Sequence, residues 1–293
     1  MYEEFYGLSE KPFKKTPDPR FFYQSAKHAE ALARLQLAAE DQDIALLTGD
    51  IGTGKTMISR ALIDSLDGSF HPMLIINPRL SPLHLLRTVA LGLEMECSSR
   101  DCHSIIEGIN AKLYEFFEAG KRPVVIIDEA QLISGKATFE ELRLLTNFQL
   151  DDRNLLAILL IGQTELGERL DRRQYRALRQ RIGMQYHLGP LDEDETREYV
   201  KHRLRVAGRE TLLFDEEANT ALFERSGGVP RIINTIAGNA LVEGFGKGLK
   251  IIDQEIIESI VREGRAKDGK GIRHEAKRRG AMVSHMSHVL CSL

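Results

Sequence analysis

Gly49-Asp50-Ile51-Gly52-Thr53-Gly54-Lys55-Thr56 decides how the rest of this chain is read. It fits the pattern G-x-x-x-x-G-K-[ST] at every fixed position. A short apolar stretch, Ile44–Thr48, precedes it. Thr56–Leu66 follows, with Met57, Ile58, Ala61, Leu62 and Leu66 at helical spacing. The glycines let the backbone curl so that its N–H groups point inward at an anion, and the helix start adds the positive end of its dipole. Lys55 is then expected to reach the β- and γ-phosphates of a nucleotide, and Thr56 to ligate Mg2+ through its hydroxyl. A glycine-rich turn without a ligand seldom falls between a buried strand and an amphipathic helix.

Outward from that loop, short apolar strands alternate with helices. The strands are expected at Ile44–Thr48, Met73–Asn77, Val124–Asp128, Leu155–Ile161 and, by period-2 alternation, Ile182 to Leu188. Helices are expected at Ala26–Ala38, Thr56–Leu66 and Ser81–Leu93. Two more are expected to open on capping boxes, Ser104 with Glu107 (ending near Gly120) and Thr138 with Glu141 (running through Phe148). Such alternation implies a parallel sheet covered on both faces. After Gly189-Pro190 only helices are expected, with Asp192, Asp215 and Asp253 as N-caps, Pro230 as a first helical residue and Gly208 as a stop.

Pro123-Val124-Val125-Ile126-Ile127-Asp128-Glu129 delivers two adjacent acids at a strand's carboxyl end, where ligands sit in such sheets. Asp128 is placed to hold Mg2+ through water, and Glu129 to polarise a water for attack on the γ-phosphate. That second carboxylate favours hydrolysis over nucleotide storage. At the end of the fourth strand Gln163 is a candidate for aligning the attacking water; the alternative is that it caps the following helix. Arg172, Arg173, Arg176, Arg179 and Arg181 cluster before the fifth strand. Most read as a solvated basic face, with Arg181, then Arg179, as candidates for an arginine finger. Arg231 sits in the first turn of the helix begun by Pro230, against the helix dipole, so a phosphate would offset its cost; the plain alternative is a surface salt bridge. Ile232, Ile233, Ile236 and Ala240 are expected to anchor that helix.

The 293 residues are 42% hydrophobic and 28% charged, with a net charge of −3, which excludes disordered and membrane-spanning classes and gives no global pull toward nucleic acid. No apolar run approaches the roughly 18–20 residues that cross a bilayer, and the start lacks the basic, apolar pattern of a signal peptide. A cytoplasmic protein is expected, peripheral at an inner membrane only through a partner. Cys97, Cys102 and His103 give half of a metal site at most. Tyr2, Phe5, Tyr6, Phe13, Phe21, Phe22 and Tyr23 interleave with Pro12, Pro17 and Pro19, an aromatic arm expected to pack on the main body.

The ordered set of motifs resembles the AAA+ ATPases, in particular the general secretion pathway protein A, or ExeA-like, family. The resemblance runs from Phe5-Tyr6-Gly7-Leu8, Pro12-Phe13 and Thr16-Pro17-Asp18-Pro19 through His28-Ala29-Glu30-Ala31-Leu32 and Thr48–Thr56. It continues through Ile127-Asp128-Glu129-Ala130-Gln131, Gly162-Gln163, Leu178-Arg179-Gln180-Arg181-Ile182 and Gly228–Asn234, covering about residues 1–262. It implies a P-loop NTPase (AAA+) α/β fold: a five-stranded parallel αβα sandwich in the order 5-1-4-3-2, and a small C-terminal helical lid. The expected divisions are an arm over 1–25 packing on the core, a nucleotide-binding domain over 26–190, a lid over 191–264 and a basic tail over 265–293.

The resemblance also implies ATP with Mg2+, Tyr23 and His28 near the adenine, and a homo-oligomer, ring or filament, with an arginine finger supplied in trans. Two positions depart from it: Thr164 stands where proline is common, and Met57, beside the phosphates, where a second threonine is common. Longer members continue into a membrane span and a peptidoglycan-binding domain that are not among these residues. Three functions stay open. One is an oligomeric motor or switch acting on a protein client in the assembly of a secretion or pilus-type machine. Another is a DNA-associated ATPase, such as a transposition target-selection or regulatory protein, binding DNA through the tail from Arg262 to Arg279. The third is a scaffold that binds ATP and hardly turns it over.

Overall fold

The computed structural model of the chain describes residues 1–96, 101–150 and 153–263. The element order begins with α1 (Tyr2–Phe5), α2 (Ala26–Glu40), β1 (Ile44–Gly49), α3 (Lys55–Ser65) and β2 (Phe70–Ile75). Next come α4 (Pro82–Gly92), α5 (Cys102–Glu118), β3 (Arg122–Ile127), α6 (Gly135–Leu145) and β4 (Ala157–Ile161). The remainder is α7 (Thr164–Leu170), α8 (Arg176–Arg179), β5 (Ile182–Leu188), α9 (Glu193–Val206), α10 (Glu216–Ser226) and α11 (Pro230–Gly246). The chain forms two compact units, one of Thr16–Leu191 and one joining Met1–Lys15 to the chain from Asp192 onward.

The first unit is a parallel five-stranded sheet in the order β2-β3-β4-β1-β5, as the resemblance implies. Its three inner strands carry unbroken apolar runs because both faces are covered. Along β3, Val125 and Ile127 enter one core layer, while Val124 and Ile126 enter the other. The first layer is closed by Leu85, Leu86 and Val89 of α4, Ile109 of α5 and Leu142 of α6. The second is closed by Ala31 and Leu35 of α2 and Ile58 and Leu62 of α3. Each fully buried Leu or Ile contributes about 1.5–3 kcal/mol, so these layers hold the loops at the strand ends in place.

Local boundaries differ from expectation in instructive ways. The second strand is Phe70–Ile75, three residues earlier than Met73, and pairs from Phe70↔Arg122. It includes Pro72, which an edge strand tolerates because one row of its backbone groups goes unpaired. The helix expected to open on Ser104 opens instead on Asp101, whose carboxylate accepts from the Ser104 amide at 3.0 Å and hydroxyl at 2.9 Å. Thr138 lies inside α6 rather than at its cap. Its hydroxyl bonds back to the Ser134 carbonyl at 3.0 Å, and the helix ends at Leu145.

The second unit is helical. Asp192 and Glu195 form a reciprocal capping box on α9, and Asp215 and Asp253 accept from Ala218 N and Ile256 N. Gly208 stops a helix at φ 87°. On α11, Ile233, Ile236 and Ala240 are buried, but Ile232 is 43% exposed and does not anchor it. The arm expected over 1–25 is divided. Its first part builds the core of this helical unit: the Tyr6 hydroxyl donates to the Leu249 carbonyl (3.0 Å), Ser9 N to Ala207 O (2.8 Å), and the buried Arg203 guanidinium to Pro12 O (2.7 Å). Its second part belongs to the sheet unit, where Phe21 is buried and Phe22 packs on the α2-side layer. The tail over 265–293 and Cys97 lie outside the described residues.

Candidate nucleotide site

The loop from Gly49 leaves the carboxyl end of β1 and enters α3 at Lys55. Gly54, its N-cap, has φ 108°, a backbone that L side chains rarely adopt. At Gly49 a Cβ would stand 2.5 Å from the Leu188 carbonyl oxygen of β5, so only glycine fits. Thr53, 1% exposed, turns its hydroxyl to Asp50 O at 3.0 Å, whereas Asp50 and Ile51 are exposed and Gly52, Thr56 and Met57 partly so. The loop is thus shaped by its own sequence, with its apex open.

Lys55 is buried, and its Nζ donates to Gly49 O and Asp50 O, both at 2.8 Å. Burial lowers its pKa, opposed by the charges of Glu129, Asp128 and Asp50. Asp128, also buried, is displaced the other way. Burial raises its pKa, opposed by hydrogen bonds from the Thr56 hydroxyl and the Glu129 amide, the latter at 2.9 Å. A cation and an anion are therefore both held at an energetic cost at the strand ends, a cost that a Mg2+–triphosphate would offset. The Thr56 hydroxyl and Asp128 carboxylate are adjacent hard oxygen donors, the set Mg2+ prefers.

Glu129 follows with φ 54° and ψ 37°, a left-handed conformation costly for a side chain with a Cβ and found disproportionately at functional sites. Its carboxylate is held by two amides. Gln131 Nε2 donates to Oε2 across a tight turn, and Gln163 Nε2 reaches the same oxygen at 3.4 Å. Gln163 occupies the N-cap position of α7 but makes no side-chain cap bond; its side chain turns to Glu129 instead. Its backbone N–H donates to Gln131 Oε1 at 3.0 Å, closing a Glu129–Gln131–Gln163 triangle between adjacent strands β3 and β4. Gln131's part in this triangle was not anticipated; its spacing of two from Glu129 on a turn was the available signal. Thr164 hydrogen-bonds Asp50 of the loop at 2.8 Å.

The remaining expected residues fall elsewhere. His28 is 4% exposed, with Nδ1 2.8 Å from Ser25 Oγ and Nε2 3.0 Å from Thr53 O. Both ring nitrogens face protein atoms, Ser25 and the loop backbone at Thr53. Tyr23 is half-buried, two residues before Ser25. Arg179 pairs with Asp171 at 2.8 Å, and Arg181 donates to the Thr146 carbonyl (3.0 Å) and hydroxyl (2.9 Å), so each finger candidate is engaged within its own chain. Arg172, Arg173 and Arg176 are exposed. Arg231 is the exposed second residue of α11 in the helical unit. Cys102 and His103 begin α5, and among the described residues no group of three or more His, Cys, Asp and Glu could hold a metal. Among the described residues, no helix is long and apolar enough to cross a membrane.

Comparison with known proteins agrees with this geometry. A family described as an AAA domain matches residues 38–170. General secretion pathway protein A of Aeromonas hydrophila is 40% identical over 260 residues, covering 87% of this chain and 47% of that protein; the chain spans about half the length of this relative. Among solved structures, the Aeropyrum pernix ORC2 protein superposes with TM-score 0.64 at 16% identity, covering 87% of this chain and 72% of that one. A Walker-type ATPase of Pyrococcus abyssi gives 0.59 at 18%, covering 92% and 80%. The Thermotoga maritima RuvB Holliday junction branch migration motor gives 0.54 at 21%, covering 80% and 66%. At these identities the solved structures speak for the fold alone. The chain has the AAA+ P-loop NTPase fold, matches an AAA domain over residues 38–170 and resembles general secretion pathway protein A.

Proposed function

We propose that this chain binds ATP with Mg2+ and hydrolyses it, as an oligomeric motor or switch in the assembly of a secretion-type machine. The observation that carries the hydrolytic step is the triangle at the β3 and β4 ends, where Gln131 and Gln163 hold the Glu129 carboxylate beside Lys55 and Asp128. Lys55 leaves Gly49 O and Asp50 O to bind the β- and γ-phosphates. Thr56 and Asp128 would hold Mg2+, which would supply positive charge against that developing on the transferred phosphoryl group. Glu129 accepts a proton from a water aligned by Gln163, and that water attacks the γ-phosphorus in line with the leaving ADP. The likeness to general secretion pathway protein A of Aeromonas hydrophila supports the secretion setting. Arg181 or Arg179 completes a neighbouring subunit's site in trans, which requires release from Thr146 or Asp171. Arg231 is the helical unit's proposed sensor of the γ-phosphate.

The test is phosphate release from Mg2+–ATP by the purified chain, with assembly size followed on the same samples. Turnover with an ATP-dependent increase in size is expected. ATP binding without phosphate release overturns the hydrolytic reading, and turnover by a strict monomer overturns the shared site.

A further inference from the structure

His28 is a buried polar ring that the mechanism above does not use. It sits in the first turn of α2 on a closed network with Ser25 and Thr53, residues 2%, 4% and 1% exposed in the order Ser25, His28, Thr53. A carbonyl oxygen only accepts, so Nε2 must carry the proton and donate to Thr53 O. Nδ1 is then the acceptor, and the Ser25 hydroxyl donates to it at 2.8 Å, which fixes the tautomer. The Ser25 oxygen also takes the His28 amide as the helix N-cap, at 3.5 Å. The ring lies against the loop closely enough that a Cβ on Gly54 would meet Nε2 at 2.9 Å. Phe22 packs edge-on against it, with ring centroids 5.7 Å apart.

We infer that His28 is the fixed post of the phosphate loop, a positioning residue that holds Thr53 O turned away from the phosphates so that the neighbouring N–H groups face them. A loop that aims its N–H groups inward must aim carbonyls outward, and a buried outward carbonyl needs a donor. Two other loop carbonyls, of Gly49 and Asp50, take the Lys55 amine. That donor departs when Lys55 moves to the nucleotide, whereas the His28 bond does not depend on the lysine. The inference rests on the nucleotide-binding reading.

Its test compares His28→Gln with His28→Asn. A glutamine amide nitrogen falls near the place of Nε2 and keeps the donor to Thr53. An asparagine amide falls near Nδ1 and loses it. ADP affinity is measured by calorimetry, and hydrogen exchange of amides 49–56 is followed without nucleotide. The wild-type chain should bind ADP. His28→Asn should weaken binding roughly tenfold, the consequence of one buried unsatisfied acceptor, and speed exchange at 49–56 while leaving strands β3 and β4 protected. His28→Gln should restore both within about threefold. Asparagine binding within about twofold of wild type, or glutamine no better than asparagine, overturns the inference. If His28→Asn does not fold, His28→Leu, which is close to the imidazole in volume and lacks the donor, takes its place with the same expectation. Failure of the wild-type chain to bind ADP would instead sink the nucleotide reading.

Discussion

The carboxyl ends of β1 and β3 and the segment from Asp171 to Arg181 both gather charge, and they hold it in opposite ways. At the strand ends Lys55 and Asp128 are 7% and 3% exposed, and burial moves both protonation equilibria toward the neutral form. In the arginine segment Arg172, Arg173, Arg176 and Arg181 are exposed, and Arg179 shares a partly solvated pair with Asp171. Exposed pairs of that kind contribute about 0–1 kcal/mol. Charge kept in an apolar sheet at a cost has a reason that the fold does not supply, and the proposed polyphosphate with its metal would supply it. Surface charge needs no such reason, so the same residue types carry far less information there.

The contrast can be broken by mutation. Lys55→Ala removes the cation that meets the phosphates and should lower ATP turnover by about 1000-fold, measured as phosphate release with saturating Mg2+; a loss of under tenfold would put the two regions on a par. Arg181→Ala should lower turnover about 100-fold, through a single transition-state contact, with ATP affinity unchanged. Unaltered turnover in the assembled protein would leave the arginine segment as a solvated face.

The smallest effect is on stability. The Asp128 pKa is raised by burial from the ordinary 3.8, so its favourable contribution is complete below that value and is lost as pH rises through the folded-state value. At pH 7 the nucleotide-free protein bears the cost of a buried carboxylate. Asp128→Asn should therefore melt a few degrees higher than wild type at pH 7, the difference closing toward pH 4. A lower melting temperature at pH 7 would mean that the Thr56 and Glu129 hydrogen bonds outweigh the burial.

The legibility of the sequence follows the same contrast. The inner strands could be read because burial on both faces forces unbroken apolar runs, and the Gly49–Thr56 loop because anion binding forces glycines at fixed spacing. Asp128 and Glu129 stood out as paired acids after Ile127. The contact of His28 with Thr53 is not legible, because the two lie 25 residues apart and nothing local reports it. The arm could not be divided in advance: Tyr6 and Phe13 look like Phe21 and Phe22 in sequence, and only Leu249, Pro12 and Arg203 show which core each half joins. Ser104 and Thr138 had the spacing of caps, but Asp101 supplied a better acceptor, and Thr138 bonded its own helix.

Glu129, held by Gln131 and Gln163, is the proposed base for hydrolysis at the loop that begins at Gly49. The direct measurement is ATP affinity and phosphate release for wild type and Glu129→Gln side by side. ATP affinity should stay within about threefold of wild type and turnover should fall about 100- to 1000-fold, the usual worth of a positioned base. Wild-type turnover by Glu129→Gln would contradict it.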